Sequence, residues 1–371
     1  MTVVWGILGL GFLVFFHELG HFLVARAVGV KVEAFSVGMG PVLLHKTVGG
    51  TDYRLSLSPL GGYCAMKGEH DYREAIELNL SEIRGDKDSF YGAHPFKRIL
   101  IAFAGPFFNL IFAFIAFFII AMIGYTYKSA GTTVLMTDDV EEYADVPSPA
   151  HQAGMQSGDK IISINGHAMS DFSDIVTFVT SHGAEEVSVM VERNGETLEI
   201  KVLTGLDKST GAGKLGIVHD KNSVAERHYG PFGLFPAIAE GGKQTVSMLG
   251  MTLRGIATLF KGVDITNAVS GPARITTILG STVKDGFKES FKIGVISTLQ
   301  LLALISLSLF LTNLLPVPIL DGGLILFALI ELVARKKMHP KVLYYIQFVG
   351  IIIIGALLVL ALIGDIRYFI K

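Results

Sequence analysis

The sequence predicts a polytopic α-helical membrane protein with an α+β domain inserted between its second and third spans. Three observations predict it. Half of the 371 residues are apolar and the mean hydropathy is +0.52, too high for an ordinary soluble chain. Four stretches, Val3–Val28, Ile99–Tyr125, Ile293–Val333 and Val342–Ile363, reach the ~20 apolar residues that a helix needs to cross a bilayer. Between the second and third lies a long polar segment, from Lys128 to Lys292, with strand-and-turn patterning. The formal net charge of −2 gives no reason to expect a nucleic-acid partner. The single cysteine, Cys64, supports neither a disulfide framework nor a cysteine zinc cluster.

The first stretch lacks a basic leader and carries His17-Glu18 where a secretory signal is uniformly apolar, so it reads as a span. After it, Val42–Val48 and Tyr53–Leu57 are strand-like, joined by Gly49-Gly-Thr-Asp52. Tyr53, Leu55 and Leu57 share one face; Arg54, Ser56 and Ser58 share the other. The apolar run Pro59-Leu-Gly-Gly-Tyr63 follows. A hairpin this oily reads as membrane-associated and shielded by protein, with an open edge suited to an extended peptide. The charged stretch Lys67–Asp88 reads as a mobile, solvated loop. The third stretch is too long for one crossing, and Asn313, Pro316, Pro318 and Gly322-Gly323 break it into two helices.

Basic residues cluster between spans one and two (Arg26, Lys31, Lys46, Arg54, Lys97 and Arg98 among them) and between spans three and four (Arg335, Lys336, Lys337, Lys341). Short basic loops stay in the cytoplasm. Both termini and the polar segment then face outward.

Within that segment, Ser148–Met155 suggests a short helix after Pro149, Lys160–Ile164 a strand, and Ser173–Val179 a second helix. Val187–Glu192 and Thr197–Val202 form a hairpin on Asn194-Gly195. The run Ala153-Gly-Met-Gln-Ser-Gly-Asp-Lys-Ile-Ile-Ser-Ile-Asn-Gly166 resembles the signature of bacterial PDZ domains, over Val134 to Val218. Such a domain can contact a peptide by adding it to a sheet edge; a spacer with an empty groove is the alternative. Phe235–Phe260 is amphipathic and expected along the membrane surface, or else as a helix of the soluble domain. The chain thus divides into residues 1–127, the first half of a membrane core; 128–220, the PDZ-like domain; 221–291, a surface-lying helical segment; and 292–371, the second half of the core.

His17-Glu-Leu-Gly-His21 is an H-E-x-x-H motif on a predicted helix. Side chains four apart share a face, with Cβ atoms about 5–6 Å apart, so both imidazoles can reach one zinc at about 2.0–2.1 Å. Glu18 stands beside the first ligand, placed to take a proton from water and pass it to a leaving amine. The bare motif is common by chance; its apolar setting gives it weight. Each ionisable side chain near the bilayer centre costs about 2.5–3.5 kcal/mol, which a divalent cation offsets. A polar cluster gluing helices is the alternative. Catalytic zinc needs a third protein ligand and an open position for water. Asp321, in Leu311-Thr-Asn-Leu-Leu-Pro-Val-Pro-Ile-Leu-Asp-Gly-Gly323, is the acid in apolar surroundings that fits. Capping the half-helix that begins at Gly322 is its alternative role. Glu331, at the basic end of that helix, reads as interfacial.

The H-E-x-x-H span, the run Asn313-Leu-Leu-Pro-Val-Pro-Ile-Leu-Asp321-Gly and Gly105-Pro-Phe-Phe-Asn109 in the second span together resemble the site-2 protease family, nearly end to end. Four spans, an external N-terminus and one PDZ-like domain are similar to the bacterial regulator-of-sigma-E protease group, many of whose members carry PDZ domains in tandem. The resemblance implies a zinc metalloprotease core: one Zn2+ per chain on His17, His21 and Asp321, with Glu18 as general base. It implies that Asn313, Asn109 and the hairpin residues Tyr53, Leu55 and Leu57 meet the substrate. It further implies an intramembrane endopeptidase of the bacterial inner membrane, acting on single-span membrane proteins such as trimmed anti-sigma factors or remnant signal peptides. A catalytically silent PDZ membrane adaptor is the alternative from another class. An ion transporter is disfavoured, because the polar groups cluster at one depth and no internal repeat is present.

Overall fold

The computed structural model describes residues 2–143, 145–258, 261 and 270–370. They form two compact units. The first holds α1 (Thr2–Ala27), β1 (Val32–Val48), β2 (Thr51–Met66), α2 (Asp71–Glu77) and α3 (Pro95–Ile123). Later in the chain it adds α7 (Pro272–Glu289), α8 (Phe291–Asn313), α9 (Asp321–Ala334) and α10 (Pro340–Ile370). Helices α1, α3, α8 and α10 are long and apolar enough to cross a membrane. On α1, α8 and α10 the apolar residues run all the way round, as suits a helix with no water-facing side.

The third apolar stretch is two helices. Helix α8 ends at Asn313, the chain turns through Pro316 and Pro318, and α9 starts at Asp321. Glycine is required here: a Cβ on Gly322 would overlap the carbonyls of Leu314 and Leu315, and one on Gly323 that of Val317. The start of α9 therefore lies directly on the turn that precedes it.

Strands β1 and β2 join at Gly49-Gly50, whose φ angles of +61° and +81° suit a two-residue hairpin turn. Both strands run further than the sequence patterning indicates, and Pro59–Tyr63 is part of β2. Residues Ala34–Val37 pair with Ala65–Gly62 on one side and with Asp52–Leu55 on the other. Gly62–Met66 is thereby an edge, paired with β1 alone. The Ser face points inward, with Ser56 buried on Ser36 at 3.0 Å, while Leu55 and Leu57 stay exposed.

The segment after β2 is a correction. Instead of a solvated loop, it buries Tyr72, Ala75, Ile83, Phe90 and Tyr91 in a cluster with Phe22, Ile101, Phe327 and Leu343. Its charges pair among themselves, Lys67 meeting Asp86 and Asp88 at 2.7 Å. Only Asp71–Glu77 is helical, and Ile83, Phe90 and Tyr91 reach the cluster from non-helical chain, which periodicity does not reveal. Glu331 is also corrected: it is buried, not interfacial, and ion-paired with Arg98. A charge this deep persists because it is matched. Helix α7 buries Thr276, Leu279, Gly280 and Gly286. Gly6 and Gly280 are where α1 and α7 touch backbone to backbone, so 272–289 is held on the core and does not lie loose on a surface.

The second unit contains β3 (Tyr125–Ser129), β4 (Val134–Met136), α4 (Pro149–Gln152), β5 (Lys160–Ile164), β6 (His167–Ala168), α5 (Phe172–Thr180), β7 (Glu186–Arg193) and β8 (Glu196–Leu203). It continues with β9 (Gly205–Leu206), β10 (Gly213–Lys214), β11 (Ile217–His219) and β12 (Ala225–Tyr229). Its main sheet has the order β6-β5-β7-β8, with β4–β11 as a separate pair. Inward-pointing Val187, Val189 and Val191 alternate along β7 and pack with Ile161, Ile164, Met155 and Ile175. The β7–β8 ladder closes on Asn194-Gly195, both at positive φ. Strand β3 pairs with β12 from Ser129↔Ala225 to Tyr125↔Tyr229, so the unit closes outside the limits 128 and 220. Helix α6 (Leu234–Thr258) covers the expected amphipathic stretch, apart from residues 259 and 260, which lie outside the described residues. The part of α6 from Leu249 onward belongs to this second unit, where Arg254 meets the ring of His182.

Candidate metal centre

His17 and His21 lie one helical turn apart on α1, both buried, at 9 % and 7 % exposure. Asp321, the first residue of α9, comes to the same point. His17 Nε2 and His21 Nε2 are 3.2 Å apart. His17 Nε2 stands 3.2 Å from Asp321 Oδ2, and His21 Nε2 stands 3.3 Å from Asp321 Oδ1. Three ligand atoms about 2.05 Å from a tetrahedral zinc are about 3.3 Å from each other. The two imidazole nitrogens stand at that separation and each faces a different oxygen of the one carboxylate, so the three side chains converge on a point that a zinc ion could occupy. Two imidazole lone pairs and a carboxylate aimed at one point in apolar surroundings otherwise repel, and a cation removes that cost.

The outer partners match this fit. His21 Nδ1 lies 2.8 Å from the Ile101 carbonyl oxygen, an acceptor, so Nδ1 carries the proton and Nε2 its lone pair. His17 Nδ1 lies 3.1 Å from the Asn109 side-chain amide. Asn109 Oδ1 has no hydrogen-bond partner. Turning the amide end for end puts that oxygen on the His17 N–H and gives His17 the same tautomer as His21. Asn109 is itself fixed from behind, its carbonyl accepting from Ser306 Oγ at 2.8 Å. Glycine admits the histidines: a Cβ on Gly105 would overlap His21 Nε2, and one on Gly20 would overlap the Ala104 carbonyl. Pro106, next in α3, removes the N–H that Ala102's carbonyl would accept.

A cavity of about 560 Å3 opens on these three residues. Glu18 lines it, as do Asn313 at the end of α8 and Ile319 and Leu320 before Asp321. Ile319 has φ +92°, a costly conformation for a β-branched residue, and it forms the last bend before the carboxylate. Tyr63–Met66, the part of β2 that pairs with β1 on one side only, also lines it. Burial pushes the Cys64 thiol up. Glu69 and His70, from the segment expected to be solvated, also line the cavity. Burial holds the Glu69 carboxyl above the usual range, against the opposing hydrogen bond from Met66 N–H.

The predicted residues thus separate. His17, Glu18, His21, Asp321 and Asn313 come together at one cavity. Tyr53, Leu55 and Leu57 do not: Tyr53 packs on Phe22 and Phe35, and the two leucines are exposed and not among the residues lining the cavity. Alternation within the first hairpin arm gave no means of telling which part of β2 becomes the edge. Asn109 is fully buried against His17 and is not among the residues that line the cavity.

Comparison with known proteins adds independent information. Residues 5–357 match the model of peptidase family M50. A protein of Treponema pallidum described as "putative zinc metalloprotease" is 33% identical, the alignment covering 99% of this chain and 99% of that one. One of Campylobacter jejuni with the same description is 34% identical over 97% and 92% of the two chains. A third, from Borreliella burgdorferi, is 30% identical over 99% and 98%.

Proposed function

This chain belongs to peptidase family M50, and on that premise we propose that it is a zinc-dependent endopeptidase that cuts single-span membrane proteins within the bilayer. The observation that carries the reading is the convergence of His17 Nε2 and His21 Nε2 on the two carboxylate oxygens of Asp321, set among apolar helices with Glu18 on the same cavity. His17, His21 and Asp321 would hold a zinc ion, which would supply Lewis-acid chemistry, acidifying a water and polarising the scissile carbonyl. Glu18 takes the proton from that water and delivers it to the departing amine nitrogen. Substrate enters as an unwound strand, since helical peptide bonds are shielded. It adds to the free edge Tyr63–Met66, whose backbone groups fix its register against the cavity. Asn313, at the mouth of the same cavity, holds the substrate backbone by its amide. Asn109 acts on His17 only.

The hairpin dips into the membrane, its exposed Leu43, Leu44, Leu55 and Leu57 facing lipid. The basic loops lie in the cytoplasm of a bacterial inner membrane, with the termini and the α+β unit outside. That unit acts as a PDZ-type domain that filters substrates by their external bulk, so trimmed anti-sigma factors or remnant signal peptides fit best. The Treponema alignment runs over 451 positions, more than the 371 residues of this chain. That relative therefore carries insertions absent here, consistent with a simpler filter.

Glu18→Gln tests the reading. The variant should bind one zinc per chain while cleavage of a model transmembrane substrate disappears. Undiminished cleavage would remove Glu18 from the mechanism. Purified protein without zinc would favour the adaptor instead.

A further inference from the structure

The turn between α9 and α10 carries Arg335, Lys336 and Lys337, all exposed. With His94 they line a second cavity, of about 420 Å3, which shares no lining residue with the cavity at His17, His21 and Asp321. Pro95, which also lines it, is the first residue of α3, and α10 begins at Pro340. The cavity therefore stands at the ends of two spans, the depth at which phospholipid headgroups lie.

Its charge is not cancelled from within. Glu331 lines the cavity, but Arg98 already pairs with its carboxylate, and the other oxygen accepts Met338 N–H at 2.9 Å. Lys337 donates to the Ile83 carbonyl at 3.1 Å. Among the described residues no carboxylate pairs with Arg335 or Lys336. Arg335 also holds a helix C-cap at φ +53°, a left-handed position where glycine is favoured. Beside the cavity, Phe96, Leu332 and Val333 are exposed apolar side chains at 55 %, 36 % and 81 %.

We propose that this cavity binds the headgroup of an anionic phospholipid. Arg335 offers its planar guanidinium to the phosphodiester and Lys336 adds a second charge. The acyl chains lie along Leu332, Val333 and Phe96. Basic pockets between helices at the cytoplasmic surface recognise acidic lipids by this combination of charge and depth. The clamp acts on α9, a helix of 14 residues whose other end is Asp321. A headgroup at its C-terminus steadies the element that carries the carboxylate.

The test reads lipid retention, not proteolysis, so it stands apart from the protease assignment. The full-length protein in a zwitterionic detergent is loaded with dioleoylphosphatidylglycerol or dioleoylphosphatidylcholine and examined by native mass spectrometry and thermal melting. Wild type should retain the anionic lipid preferentially and melt higher with it. Arg335→Gln with Lys336→Gln should weaken that retention by about thirtyfold. Lys336→Gln alone should weaken it less, which covers the case of a double variant that does not fold. Lys288→Gln with Lys292→Gln makes the same charge change at the α7–α8 turn and should have no effect. Wild type that shows no preference for the anionic lipid, or equal losses in both double variants, would overturn the site. Displacement by millimolar inorganic phosphate would assign the cavity to a soluble anion and overturn the lipid.

Discussion

Asn109 meets His17 Nδ1 at 3.1 Å with no exposure to solvent, and on the proposed metal reading its amide oxygen sets the tautomer of a ligand. Replacing it by alanine leaves a buried ring N–H unpaired, which costs about 1–3 kcal/mol. Zinc affinity should fall by about 10–100-fold, the usual effect of losing an outer partner. Asn109→Asp, which keeps an acceptor, should recover most of it. Competition with a chelator measures both, and an alanine variant that binds zinc as tightly as the parent would dismiss the role. His21 has no comparable weak point, because its partner is the Ile101 backbone carbonyl, which no side-chain substitution removes.

Helix α3 reaches the metal centre through a glycine. At Gly105 a side chain as small as methyl would occupy the space of His21 Nε2, so the helix can approach only where Cβ is missing. Gly105→Ala should leave helix content by circular dichroism unchanged. Zinc binding should fall further than in the Asn109 variant, because the ligand itself is displaced. If the alanine protein titrates with zinc like wild type, the close approach is dispensable. The same logic governs α9. Gly322 and Gly323 let it start against its own preceding turn, and that fold-back places Asp321 at the cavity. Strand β2 contributes by its end, where Gly62–Met66 has β1 on one side and the cavity on the other.

On the scale of the whole molecule, the α+β unit and the membrane core are separate compact units, one with the four-stranded sheet, the other with the cavity at His17, His21 and Asp321. If the first filters what the second cuts, the external bulk of a substrate should control its rate. A single-span substrate fused to a folded external domain should be cut about tenfold more slowly than the same span with a short stub, a barrier difference near 1.4 kcal/mol. Equal rates for the two in proteoliposomes would exclude the filter. Neither result bears on the metal centre, which lies entirely within the core unit.

The amino-acid sequence by itself determined the four spans, because hydropathy is a sum over neighbouring residues and needs no tertiary partner. It determined the pairing of His17 with His21, since helical periodicity places residues four apart on one face. It also marked Asp321, an acid that prolines and glycines isolate within an apolar stretch. Only the tertiary structure decided the distances among the three, which link residues some three hundred positions apart. It alone decided that Tyr63–Met66 and not Tyr53–Leu57 faces the cavity, that Asn109 stands behind His17, and that Glu331 is buried on Arg98. Those outcomes depend on which distant backbone or charge arrives beside a residue. No local window of sequence contains that information, because the energy of a pair belongs to both partners and to the solvent they exclude.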